Sequence, residues 1–80
     1  MRVLFFGRLA DVAGKRERQA PALETIAALR AWIDAEDAVL GEALRGKGVR
    51  IALNKSIVHD ENASLSEGDE IAFMPPLSGG

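Results

Sequence analysis

Glu70-Ile71-Ala72-Phe73-Met74-Pro75-Pro76 reads as a strand with its own stop. Side chains alternate along a strand, so Ile71 and Phe73 share one face and Ala72 and Met74 the other. Two prolines follow, which cannot donate to a sheet ladder. Glu67-Gly68-Asp69 precedes the strand as a turn, with Gly68 free to take positive φ. The same two-sided pattern recurs at the start of the chain. Val3, Leu4, Phe5 and Phe6 form a continuous apolar run within Met1–Gly7, ended by Gly7. Apolar residues on both faces predict two central strands covered on two sides, with Phe5 and Phe6 both in the core.

Between these strands the periodicity changes. Leu9, Val12 and Ala13 fit one short helical turn closed by Gly14. Arg16–Ala20 is polar and short, and suits an edge strand in a hairpin with the first. Residues 23–36 read as a helix that Thr25 caps. Ile26, Leu29 and Ile33 form its apolar stripe, which Ala28 and Trp32 widen. Arg30 and Asp34 stand at i, i+4 on its exposed side. A second helix, residues 38–45, is read with Val39, Leu40, Ala43 and Leu44 inward and Gly46 and Gly48 at its end. Val49, Ile51 and Leu53 then alternate with Arg50 and Ala52 as a half-buried strand. Asn54-Lys55 is a tight turn into a short strand at Ile57-Val58, and Leu65 pins the loop 62–66.

This order gives an α+β domain, one mixed sheet of about five strands with helices on one face. An N-terminal hairpin followed by a long helix points to the ubiquitin-like β-grasp. There the last strand lies parallel beside the first in the sheet centre. The globular unit is read as residues 1–74 and an extended tail as residues 75–80.

At 80 residues, 48% of them hydrophobic and 28% charged, the chain has the composition of one small globular domain. A domain this small buries only about 60% of its unfolded surface, which leaves little room for a deep private active site. Without cysteine there is no thiolate metal site and no thiol nucleophile. No apolar run approaches the roughly 18 residues of a spanning helix. Without a secretory signal, the cytoplasm is the expected compartment. The net charge of −2 argues against nucleic acid as a partner. The charge is uneven, since all ten Lys/Arg precede Ser56 while Asp60, Glu61, Glu67, Asp69 and Glu70 follow it.

The side chains offer little internal chemistry. His59 is the single histidine, and a surface or turn role outweighs that of a general base. Glu67-Gly68-Asp69-Glu70 lacks the spacing of a calcium loop and reads as a solvated turn. Gly46-Lys47-Gly48 fits no phosphate-binding fingerprint and reads as a helix stop. Trp32 belongs to the edge of the core.

The tail differs. Pro75 and Pro76 favour a stiff extended conformation, and Gly79 and Gly80 have no Cβ. Six residues reach up to about 20 Å. The result is a stiff arm ending in a thin thread, fit to carry a carboxylate into a narrow channel of another protein. A carboxylate is a poor electrophile until it is given a leaving group. An adenylate made from ATP supplies one; sulfide or a persulfide can then displace AMP to leave a thiocarboxylate, and an amine would leave an amide. The chain has no phosphate loop, so activation must come from a partner. The face bearing Met74, with the acidic turn 67–70 at its rim, is expected to dock a partner whose channel is basic.

Val3–Ala10, Ala52–Val58 and above all Glu67–Gly80 resemble the MoaD-like sulfur carriers, the small subunits of molybdopterin synthase. The resemblance implies a β-grasp fold and a heterotetramer of two large and two small subunits. It implies a partner resembling ubiquitin-activating enzymes that adenylates the terminal glycine, here Gly80, and a sulfur-donor enzyme that makes the thiocarboxylate. The tail would enter the large subunit and give sulfur to cyclic pyranopterin monophosphate, building the molybdopterin dithiolene. Carried over by position, Gly80 bears the sulfur and Gly79 is the slim residue behind it. Pro75 and Pro76 stiffen the arm, and together with Met74, Leu77, Ser78 and Gly79 they meet the partner. The family often has an aromatic residue where Met74 stands. Catalytic side chains would belong to the large subunit, leaving this chain with no active site and no tightly bound cofactor. The sulfur carrier of thiamine biosynthesis shares the fold and the Gly-Gly end but lacks the Pro-Pro. A ubiquitin-like protein modifier and a plain interaction module remain as further readings.

Overall fold

β1 (Arg2–Phe5) and β5 (Glu70–Met74) form a parallel pair at the centre of the sheet, with Val3 opposite Ile71 and Phe5 opposite Phe73. These observations come from a computed structural model that describes residues 1–76. β2 (Glu17–Gln19) pairs antiparallel with β1. β3 (Arg50–Leu53) pairs antiparallel with β5, and β4 (Ser56–Val58) pairs antiparallel with β3. The sheet order is β2-β1-β5-β3-β4. Asn54 and Lys55 make the two-residue β3–β4 turn, both at positive φ (49° and 74°), as a tight hairpin with right-twisted strands requires.

Three helices cover one face of this sheet. α1 (Arg8–Ala13) ends at Gly14, whose left-handed backbone donates its N–H to the Ala10 carbonyl. α2 (Ile26–Glu36) begins later than residue 23, because Thr25 is extended and its hydroxyl accepts from the Ala28 N–H at 3.1 Å. The N–H groups of Ile26 and Ala27, which have no partner within the helix, donate to the carbonyls of Ala63 and Glu61. Leu65, buried, ties the same loop to the Glu24 carbonyl. Asp37 both closes α2 and caps α3 (Ala38–Leu44), its carboxylate accepting from the Leu40 N–H at 3.0 Å.

The core lies between sheet and helices. Val3, Phe5, Ile71 and Phe73 from the sheet meet Ile26, Leu29, Ile33, Leu40 and Leu44 from the helices, all almost solvent-free. Each such side chain contributes about 1.5–3 kcal/mol of burial. The Phe5 and Phe73 rings stack with centroids 6.0 Å apart, and the Arg30 guanidinium lies 5.7 Å over the Phe73 ring.

Four expectations are corrected. The central strands are covered on one face, not two, and Phe6 is 48% exposed on the open side. Val39 is 72% exposed, whereas Leu40 and Leu44 are buried and Ala43 packs against the core as expected; Gly41 takes the remaining inward place. Val49 precedes β3 instead of lying in it. Arg30 and Asp34 do not pair with each other. Asp34 takes a two-pronged ion pair from Arg45 at 2.6 Å, while Arg30 reaches Glu61 at 2.7 Å and the Leu44 carbonyl at 3.3 Å. The Arg30 guanidinium is drawn to the Glu61 carboxylate and the Leu44 carbonyl together, which leaves Asp34 to the fork of Arg45.

Candidate functional site at the tail exit and the open sheet face

The strand register builds an apolar row across the uncovered face. Leu4 stands beside Ala72, Ala72 beside Ala52, and Ala52 beside Ile57. Four neighbouring strands make this row about 14 Å long. One step toward the C-terminal end of β5, Met74 stands beside Arg50. Phe6 continues β1 there, its N–H donating to the Phe73 carbonyl at 3.1 Å. Ala52 and Ala72 are 6% and 9% exposed even though no helix covers them, because their larger neighbours shield them. Phe6 and Ile57, 48% and 46% exposed, stand on either side of this low floor. A contiguous apolar surface on the open face of a sheet marks a docking site.

Met74 is half-buried on this face and Phe73 lies in the core, so strand alternation separates them as the sequence suggests. Pro75 and Pro76, both half-buried, follow directly. The stem of the tail therefore leaves from the rim of the apolar floor. Leu77, Ser78, Gly79 and Gly80 lie outside the described residues.

The charge at this rim is opposite to expectation. The acidic turn lies at the start of β5 and Met74 at its end, about 13 Å apart at strand rise. That turn is also engaged internally. The Asn54 amide accepts from the Glu70 N–H and donates to Asp69 Oδ1, each at 3.0 Å, and Asp69 Oδ2 accepts from the Ser66 N–H at 2.7 Å. The Asn54 hydrogen bond first, and the Ser66 N–H second, hold the Asp69 carboxyl below the usual range. Arg2 bridges Glu17 at 2.9 Å and Glu70 at 3.2 Å; its hydrogen bond lowers the Glu17 carboxyl and raises its own guanidinium.

Cations gather instead at the end where the tail leaves. Gly7, Met74 and Arg50 share that end of the sheet, so the adjoining chain brings Arg8, Lys15, Arg16, Lys47 and Arg50 there. Among the described residues none of these five makes an ion pair, whereas Arg2, Arg18, Arg30 and Arg45 all do.

The remaining candidates lie elsewhere. His59 is exposed beyond β4, in a shallow groove with Arg30, Arg50 and Glu61. Trp32 is half-buried beneath the Arg18 guanidinium, 5.0 Å from its ring centroid. Among the described residues no three His, Asp or Glu side chains converge as a metal-ligand set. Sequence reasoning missed Leu4, Phe6, Ala52, Ala72, Ile57 and Arg50 as parts of one surface. The signal was there: two-sided apolar strands in a chain with helices enough for one face.

A mixed sheet with its parallel pair at the centre and helices on one side defines a ubiquitin-like β-grasp domain. The chain belongs to the ThiS family, whose profile matches residues 3–80. It is 32% identical to the molybdopterin synthase sulfur carrier subunit of Escherichia coli K12, covering 100% of this chain and 99% of that one. Its fold matches SAMP1 of Haloferax volcanii with a TM-score of 0.81 at 24% identity, covering 100% of this chain and 98% of that one. It also matches a chain in the complex of subunits 1 and 2 of molybdopterin-converting factor from Helicobacter pylori, with a TM-score of 0.72 at 26% identity, covering 99% and 96%. No helix among the described residues is long and apolar enough to cross a membrane.

Proposed function

We propose that this chain is the sulfur-carrier subunit of a molybdopterin synthase. The observation that carries the reading is the placement of Pro75 and Pro76 at the rim of an open apolar face, in a chain that aligns end to end with a sulfur carrier. The apolar floor docks a partner by area and shape, and the prolines aim the thread past the contact. The Gly80 carboxylate attacks the α-phosphorus of ATP held by an activating partner, and pyrophosphate leaves. Sulfide attacks the acyl carbon of the adenylate, AMP leaves, and a thiocarboxylate remains. Where a persulfide supplies the sulfur, an acyl disulfide forms first and a second thiol must cleave it. The charged sulfur then serves as nucleophile toward the pterin precursor in the large subunit, and water returns Gly80 to a carboxylate. The open face of this chain is the surface we assign to that large subunit; a partner of this kind is supported by the Helicobacter relative, which is found in a complex of subunits 1 and 2.

The test is an intact mass after incubation with the activating enzyme of the same organism, ATP and a sulfur donor. Replacement of one oxygen by sulfur, mapped to Gly80 by fragmentation, is expected. Product formation on adding the large subunit and cyclic pyranopterin monophosphate then assigns the pathway. Adducts of Gly80 on lysines would assign a protein modifier instead. An unchanged mass with a competent enzyme would refute the carrier reading.

A further inference from the structure

We propose that Gly7 and Gly48 are positioning residues for the C-terminal thread, gripping Pro75 and Pro76 between two turns so that the thread leaves β5 in a fixed direction. The proposal rests on the carrier reading above. β5 is flanked by β1 and β3, and each flanking strand brings one glycine to the tail exit. Gly7 lies in the turn from β1 to α1, and Gly48 in the turn from α3 to β3. A Cβ at Gly7 would lie 2.9 Å from Pro75 Cγ and 3.7 Å from its Cδ. A Cβ at Gly48 would lie 2.7 Å from Pro76 Cβ and 3.5 Å from its Cγ. Carbon atoms do not approach this closely without displacement, so each proline ring occupies the space a side chain would need.

The consequence follows from proline's stiffness. With φ fixed in both rings, seating the two rings sets the heading of the chain before Leu77. Four residues beyond Pro76 span up to about 14 Å, so a tilt of about 20° at the stem moves an extended end by about 5 Å. A misplacement of about 1 Å at a reacting centre can cost about 100-fold in rate. A methyl group on either glycine therefore acts at Gly80 through the proline it displaces, while the docking face is left as it was.

Both glycines have positive φ, 56° and 84°, so alanine brings backbone strain as well as a clash. The chain supplies its own controls. Gly14 (79°) and Gly68 (90°) share the positive φ, and a Cβ at either meets nothing within 4 Å. The test compares full-length Gly7→Ala, Gly48→Ala, Gly14→Ala and Gly68→Ala below their melting temperatures. One readout is the steady-state rate of Gly80 adenylation by the activating enzyme. The other is the nuclear Overhauser contact of Gly7 Hα with the Pro75 ring and of Gly48 Hα with Pro76 Hβ in the free protein.

The expected result is that the wild type shows both contacts. Gly7→Ala and Gly48→Ala each lose theirs and lower kcat at least tenfold, with KM changed less than twofold. Gly14→Ala and Gly68→Ala lose melting temperature but keep kcat. Pro75→Ala, which lacks the Cγ and Cδ that Gly7 seats, lowers kcat in the same way with Gly7 intact. Kinetics of the Gly7 and Gly48 variants equal to those of the two controls would overturn the proposal, as would absence of the contacts in the wild type. If either glycine variant fails to fold, the Pro75→Ala, Pro76→Ala double variant leaves both glycines intact and must show the same kcat loss; its absence overturns the proposal. A wild type that accepts no AMP refutes the carrier reading instead, and the Overhauser contacts then decide whether the grip exists.

Discussion

Phe5 and Phe6 are neighbours in the chain and lie on opposite sides of the sheet: Phe5 is 2% exposed and stacked on Phe73, while Phe6 is 48% exposed beside Met74. The same side chain therefore has two separable roles. Phe5→Ala removes core packing and is expected to cost about 3–5 kcal/mol, enough to unfold much of a domain this small. Phe6→Ser is expected to change stability by less than about 1 kcal/mol and to weaken binding of the large subunit at least tenfold. Urea titration and calorimetric binding of the two variants check this pair of outcomes.

The charge at the tail exit makes a second prediction. Arg8, Arg16 and Arg50 make no ion pair among the described residues, although Asp11 lies beside Arg16, so an acidic receiving surface is the expected complement. Reversal of all three to Glu is expected to slow association with the activating enzyme at least tenfold at low salt, and to abolish most of its salt dependence. Reversal of Glu67 at the far pole should leave the rate within twofold. Stopped-flow association at two ionic strengths distinguishes them.

α2 and α3 meet closely at Gly41. A Cβ there would collide with the Asp34 carboxylate and lie 3.2 Å from the Asp34 Cα. Asp34 in turn holds Arg45 in its two-pronged pair, and Arg45 donates to the Gly41 carbonyl at 3.1 Å. Gly41→Ala is expected to break this cluster and destabilise the fold by about 1–3 kcal/mol, since the backbone of α2 must shift. Urea titration reads the loss, and loss of the Asp34–Arg45 contact in the spectrum of the variant confirms its route.

The acid limb of stability has an assigned sign. Asp34, Glu17 and Asp69 are all held below their ordinary carboxyl values, through Arg45, Arg2 and Asn54 respectively. The folded state then binds fewer protons than the unfolded chain, so stability rises with pH through the carboxylate range. It is expected to be level from about pH 7 to 5 and to fall as pH drops through about 4. Asp69→Asn should lower stability at neutral pH and approach the wild type in acid. Urea midpoints between pH 3 and 7 test the slope.

Much of this architecture is legible in the residues. Thr25 before an apolar stripe marks the start of α2, and Asn54-Lys55 between two short apolar runs marks the hairpin. Ile71 and Phe73 against Ala72 and Met74 fix which side of β5 meets the core. Local signals of this kind fail where the deciding partner is distant in sequence. Phe6 looks like core because hydrophobicity reports only that a side chain avoids water, not whether helix or partner covers it. Val39 falls outside the buried stripe although Leu40, Ala43 and Leu44 keep its phase, because a two-turn helix gives too few repeats to fix the stripe's width. The acidic turn lies close to Met74 in sequence, yet the intervening strand carries the two to opposite ends of the sheet. The grip on the prolines involves residues 7 and 48, and no periodicity links them to 75 and 76.

The parallel pairing of β1 with β5 has a bearing on biogenesis. The sheet has no middle until the segment reaching Met74 is available, because β1 and β3 both take β5 as their partner. The N-terminal hairpin, the helices and the β3–β4 hairpin can form locally, but the domain closes only when that segment joins them. A chain that ends before Glu70 lacks the strand that both β1 and β3 take as partner, and is expected to remain an open intermediate exposed to proteases.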